Sequence, residues 1–150
     1  MKRPIVIGLG NPDRGDDAVG PVIARILRSH AAHRYDVVHA VGEATEILAL
    51  LEGREDATLI DACVSGARVG TIHRIDLQVE GAPDKHGAIS SHGFGLAQAI
   101  GLARALDMLP KRCLVYAIEA QSFEQGATMT PAVAEATNRL VDQILAQLRD

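Results

Sequence analysis

Short apolar runs alternate with segments of helical period along almost the whole chain. Residues 5–10 (IVIGLG) are apolar without a helical repeat and stop at Asn11 and Pro12, the pattern of a strand buried on both faces. Over residues 18–29, Val19, Val22, Ile23, Ile26 and Leu27 recur at helical spacing, so a helix follows that strand across a short loop. Pro21 lacks an N–H and fits only a first turn, which puts the helix start close to Asp17. The alternation then repeats, with a strand at 35–41, a helix core at 45–51 and a strand at 57–64 (ATLIDACV).

The later part is more varied. Residues 71–79 alternate less cleanly, as suits a strand at a sheet margin, and residues 80–91 are rich in Gly, Pro and polar residues, as suits an exposed loop. A helix is predicted over 92–108, a strand over 113–119, a second loop over 120–129, and a final helix over 131–148 with Thr130 as N-cap before Pro131. Alternating strands and helices imply an α/β fold. The expectation is a single domain over residues 1–150, with a twisted, mostly parallel sheet of about five strands, right-handed crossovers and helices on both faces.

Composition narrows the function. The 150 residues are 47% hydrophobic, enough for a genuine core. A net charge of -4 and the absence of Trp argue against nucleic acid, which favours Lys/Arg surplus and aromatic platforms. No apolar stretch approaches the ~20 residues of a membrane span, and the first apolar run is too interrupted for a signal peptide, so a soluble, cytoplasmic protein is expected. Cys63 and Cys113 both sit in apolar, strand-like runs, where a buried reduced thiol is the ordinary outcome; a catalytic Cys63 has no flanking signature.

Ligand sites in open α/β sheets gather beyond the carboxyl ends of the strands. That rule selects the loop 11–17 after the first strand, Asp61 near the end of the third, and residues 90–92 opening the long helix. Each has a plainer reading. Asp16 or Asp17 would serve as a helix cap, Asp61 as an Asx-turn, and His92 as a helix-start residue. Against these, LIDAC places a charge inside an apolar run, and Gly93 and Gly95 allow close backbone approach beside His92. Two carboxylates and an imidazole from separate loops suit a divalent ion with an open coordination position, where water is activated or a carbonyl polarised. HExxH, GxSxG, CxxC and Walker patterns are absent, and Asp13 stands where a GxGxxG pattern begun by Gly8 and Gly10 needs its third glycine.

The strings IGLGNPDRGDDAVG, LIDACVSG and SSHGFGL, in this order, resemble the [NiFe]-hydrogenase maturation endopeptidases, and IEAQSFEQGATMTPAV extends the likeness over nearly the whole chain. The resemblance implies an endopeptidase that removes a C-terminal peptide from the [NiFe]-hydrogenase large-subunit precursor after nickel insertion. It implies Asp17, Asp61 and His92 as the nickel contacts, with the nickel being that of the precursor and no organic cofactor. Water is the expected nucleophile and Asp16 a candidate general base, although Asp16 and Gly15 are expected chiefly to shape the turn that presents Asp17. Some relatives carry glutamate at Asp17, whose extra carbon carries the oxygens about 1.5 Å further out. VGEA at 41–44, with Glu43 near the same sheet edge, replaces a turn resembling Asp-Gly-Gly-Thr. Two other readings stay open. The GLGNP opening is shared with peptidyl-tRNA hydrolases, although GDD replaces their Arg-His-Asn triplet, and a non-catalytic module would grip a metalloprotein precursor without cutting it.

Overall fold

The first helix is fastened to the first strand by an absence of side chains. A Cβ on Gly8 would overlap the carbonyl oxygen of Gly20, and one on Gly20 would overlap the backbone of Leu9. Strand β1 (Ile5–Leu9) and helix α1 (Val19–Ala31) therefore touch backbone to backbone. Between them a single 3₁₀ turn, Gly15–Ala18, carries the two aspartates, and Pro21 falls in the first turn of α1 as its missing N–H requires. The glycines that begin a dinucleotide-like pattern thus serve close packing of strand, turn and helix.

The computed structural model describes residues 2–79 and 94–149. β2 (Asp36–Ala40), β3 (Asp56–Cys63), β4 (Ile72–Asp76) and β5 (Arg112–Glu119) join β1 in one sheet of order β2-β1-β3-β5-β4. Every pairing is parallel except that of β4, which lies antiparallel to β5 at the margin. The α/β class and the mostly parallel five-stranded sheet expected from the alternation are present, and the least regular strand pattern belongs to β4, one of the two edge strands.

Helices cover both faces. Odd-numbered residues of β1, β3 and β5 (Ile5, Ile7, Leu59, Val115) pack under α2 (Ala44–Leu51) and α3 (Phe94–Ala105) through Ile47, Leu51, Leu96 and Ile100. Even-numbered ones (Val6, Ile60, Leu114, Tyr116) pack under α1 and α4 (Pro131–Arg149) through Ile23, Leu27, Leu140 and Ile144. This period-2 division follows from the pleat, and it also decides which polar residues meet at the carboxyl edge. The loop expected at 80–91, and the first two residues of the helix expected from 92, lie outside the described residues.

Gly20→Ala is expected to force α1 off β1 and to cost about 1–3 kcal/mol, the range for overpacking a filled contact. Urea unfolding of the variant checks this, and an unchanged midpoint would show that the backbone contact is not tight.

Candidate active site

The chain leaves β1 for α1 on one face and reaches β3 through α2 on the other, so a crevice opens between the adjacent carboxyl ends of β1 and β3. Asp17 and Asp61 lie at this edge. Asp17 stands on the 3₁₀ turn after β1, and Asp61 lies one residue beyond the Gly8–Ile60 pair and two before the end of β3.

Both are buried, at 5% and 7% exposure. The Asp17 carboxylate accepts the Asn11 N–H on Oδ2 at 2.8 Å. Gly10, with φ of +133°, lies so close beneath it that a Cβ there would overlap the Asp17 carbonyl oxygen and stand 2.9 Å from Oδ1. Asp61 Oδ1 accepts the Ala62 N–H at 2.8 Å. Burial pushes the Asp61 carboxyl well above the usual carboxylate range; the Ala62 N–H opposes this, and the negative charge of Asp17 pushes it further up. The two aspartates are therefore close enough to repel each other, and a cation between them would relieve both the burial and the repulsion.

Asp16 points elsewhere. It is fully buried, and its oxygens accept the N–H groups of Gln121 (2.9 Å), Ser122 (3.0 Å) and Thr130 (2.7 Å) together with the Thr130 hydroxyl (2.9 Å). Backbone bonds from Asp16 to Ser122, Gly15 to Ala127 and Gly126 to Asp13 tie the same two loops. Gly15, at φ +56°, passes where a Cβ would lie 2.7 Å from Ser122 O. Neither the 3₁₀ turn nor α1 has a side-chain N-cap, so the capping reading gives way, for Asp16 to these longer-range contacts and for Asp17 to the bond from the Asn11 N–H. The hydroxyl of Thr130, expected at the start of the last helix as a cap, donates to Asp16.

His92 lies outside the described residues. The first turn of α3, just after it, rests on the turn following β2, since a Cβ on Gly95 would overlap Gly42 O. Glu43 opens α2 at the same edge and accepts the Thr45 hydroxyl at 2.7 Å.

A second polar cluster occupies the ends of β3, β4 and β5. Glu119 accepts the Ser65 N–H on Oε2 (2.7 Å) and, on Oε1, the Ser65 hydroxyl (2.6 Å), His73 Nε2 (3.1 Å) and the Cys63 thiol (3.5 Å). Burial pushes the Glu119 carboxyl up, but the donors from Ser65, His73 and Cys63 outweigh it and hold the group below its usual range. Burial, and then the Glu119 charge, push the Cys63 thiol up, while burial lifts Cys113 to about 12. Both cysteines are free and buried, as their apolar surroundings imply. The sequence reading singled out neither His73 nor Glu119. Glu119 ends the run RCLVYAIE much as Asp61 interrupts LIDAC, and that parallel was the available signal.

Comparison with known proteins agrees with this architecture. A family model described as hydrogenase maturation protease matches residues 22–147. The hydrogenase 2 maturation protease of Escherichia coli (strain K12) is 30% identical over 156 residues, covering 99% of this chain and 92% of the relative. The structure of the hydrogenase maturating endopeptidase HybD from E. coli is similar at a TM-score of 0.78 and 26% identity, over 99% of this chain and 93% of that one. A solution structure of an endopeptidase from Escherichia coli gives a TM-score of 0.84 at 26% identity, with the same coverage. Fold and relatives together define a small α/β endopeptidase. This chain belongs to the hydrogenase maturation protease family. That membership decides against the peptidyl-tRNA hydrolase reading of the GLGNP opening and against a module that binds without cutting.

The buried Asp61 predicts a pH dependence. Its proton is held to higher pH in the folded chain than in the unfolded chain, where a carboxyl titrates near ~3.9. Its contribution is therefore full below the unfolded value and is lost as pH rises through the raised folded value. Asp61→Asn removes that loss, so the metal-free variant is expected to be more stable than the parent at neutral pH by about 1 kcal/mol, with the gap closing toward acid. Urea unfolding across a pH series checks this, and a variant less stable at pH 7 contradicts it.

Proposed function

We propose that this endopeptidase removes the C-terminal extension of a [NiFe]-hydrogenase large-subunit precursor once nickel is in place, and that Asp17, Asp61 and His92 contact the nickel carried by that substrate. The observation that carries the reading is the pair of buried carboxylates at the switch point between β1 and β3. They come from separate segments, and the charge of Asp17 bears directly on Asp61. Buried like charges are costly by themselves and become favourable around a cation. With an imidazole they form an oxygen and nitrogen donor set suited to a divalent transition metal, with positions left for the substrate's own ligands.

On this reading the protein needs no organic cofactor and no resident ion of its own. A precursor that carries nickel completes the site, and one that lacks it leaves two carboxylates facing each other. Metal loading thereby becomes the condition for seating the scissile peptide bond, which water then attacks. Asp16 holds the turn that presents Asp17, since its oxygens accept donors from residues 121–130. Gly10, lacking a side chain, lets the backbone after β1 pack directly against Asp17. Action in the cytoplasm on a newly made subunit is part of this reading, and no helix among the described residues is long and apolar enough to cross a membrane.

Incubation with nickel-loaded and nickel-free precursor, with both masses read afterwards, tests the proposal. Shortening is expected only for the loaded form, and cleavage of the nickel-free form at full rate would overturn the nickel contact. Asp17→Asn and Asp61→Asn are each expected to slow cleavage by about 100-fold or more, because a direct contact should matter at least as much as the outer partners of a metal site. Folding, and in Asp61→Asn stability, should be retained.

A further inference from the structure

We propose that Cys63, His73 and Glu119 form a second cation site, separate from Asp17 and Asp61, for a borderline divalent transition-metal ion of the Zn²⁺ type. The three side chains come from three neighbouring strands. Cys63 and Glu119 are register partners across the parallel β3–β5 pair, so both project on the α2/α3 face. His73 comes from the antiparallel strand on the other side of β5, opposite Ala117, and shares that face with Ile75 and Glu119. The sheet, rather than a loop, sets their positions.

Their donor atoms, one sulfur, one nitrogen and one oxygen, all lie within 4.8 Å of one another. A tetrahedral Zn²⁺ with ordinary bond lengths separates its nitrogen and oxygen ligands by about 3.4 Å and its sulfur and oxygen ligands by about 3.6 Å. The corresponding separations here are 3.1 Å and 3.5 Å, each within a few tenths of an ångström of those values, and the sulfur and nitrogen lie within 4.8 Å of each other, so ion entry draws His73 and Cys63 together about the Glu119 oxygen. Both contacts converge on the same oxygen, Glu119 Oε1.

Charge points the same way. Cys63 and Glu119 are 1% and 2% exposed, and among the described residues His73 is the only ion-pair partner of Glu119. A thiolate and a carboxylate around a dication, with a neutral imidazole, sum to zero, which suits a buried site. Binding releases the thiol proton, and any proton shared between His73 and Glu119, to solvent. Thiolate and imidazole select Zn²⁺ and similar ions over Mg²⁺ or Ca²⁺, which take oxygen ligands. Three protein ligands leave a fourth position open, and the half-buried His73 is the exposed side of the cluster.

The test uses the full chain, stripped of metal and titrated with Co²⁺, which occupies Zn²⁺ sites and reports thiolate ligation by an intense charge-transfer absorption in the near ultraviolet. The expected result is a band that saturates at one Co²⁺ per chain, is indifferent to excess Mg²⁺ and is bleached by Zn²⁺. It should persist in Asp17→Asn and Cys113→Ala and disappear in Cys63→Ser. His73→Gln, with folding verified by circular dichroism, should weaken Co²⁺ binding by at least about tenfold, and it decides the matter if Cys63→Ser does not fold. Absence of the band in the parent chain would overturn the proposal and leave the cluster as a hydrogen-bonded fastening of three strand ends. The same conclusion follows if the band survives Cys63→Ser, is lost in Cys113→Ala or is indifferent to His73→Gln.

Discussion

The backbone contact between β1 and α1 is the constraint from which the rest of the carboxyl edge follows. Gly8 and Gly20 let strand and helix meet without side chains between them, and this fixes how far the intervening 3₁₀ turn stands from the end of the sheet. Asp17 is carried to the side of β1 that adjoins β3, where Asp61 emerges. A bulkier residue at either glycine would move the turn as a whole, so the spacing of the two aspartates is set by residues that carry no side chain.

The neighbouring aspartates, adjacent in sequence, have opposite tasks because successive residues of a tight turn face different ways. Asp16 faces inward and is saturated by donors from residues 121–130, while Asp17 faces the crevice with Asp61. A fully buried carboxylate costs several kcal/mol unless its oxygens are occupied, and Asp16 meets that condition with backbone N–H groups that would themselves need partners. Asp61 does so less completely, and its raised proton affinity records the difference. Two buried aspartates at one sheet edge thus differ in how far their charge is compensated.

Much of this was legible in the residues. Apolar runs and helical periods gave the element order and the α/β class, because burial on one or both faces imposes those periods directly. The placement of Asp17 and Asp61 followed from the strand-end rule, and the structure brings them together. That Asp16 shapes the turn presenting Asp17 was legible, but its partners were not, since they lie more than a hundred residues away and nothing local announces them. The Cys63, His73 and Glu119 cluster was hidden for a related reason. It depends on β4 running antiparallel beside β5, a pairing that periodicity does not encode. Thr130 stands just before the last helix, where local rules place a cap and its carbonyl accepts the Ala134 N–H, but nothing local announced that its hydroxyl also serves a buried carboxylate.

The span of the Asp16 contacts also bears on when the acidic turn takes its final place. Thr130 is 114 positions from Asp16 along the chain, so closing that contact carries one of the largest loop entropies in the fold and follows the more local β1, α1 and β2 associations. During synthesis the acidic turn is made early, yet its anchor emerges only with the last helix. A nascent or clipped chain that lacks residues 121–130 keeps Asp17 on an untethered turn. The turn that carries Asp17 is thereby fixed only when nearly the whole polypeptide has been made and folded.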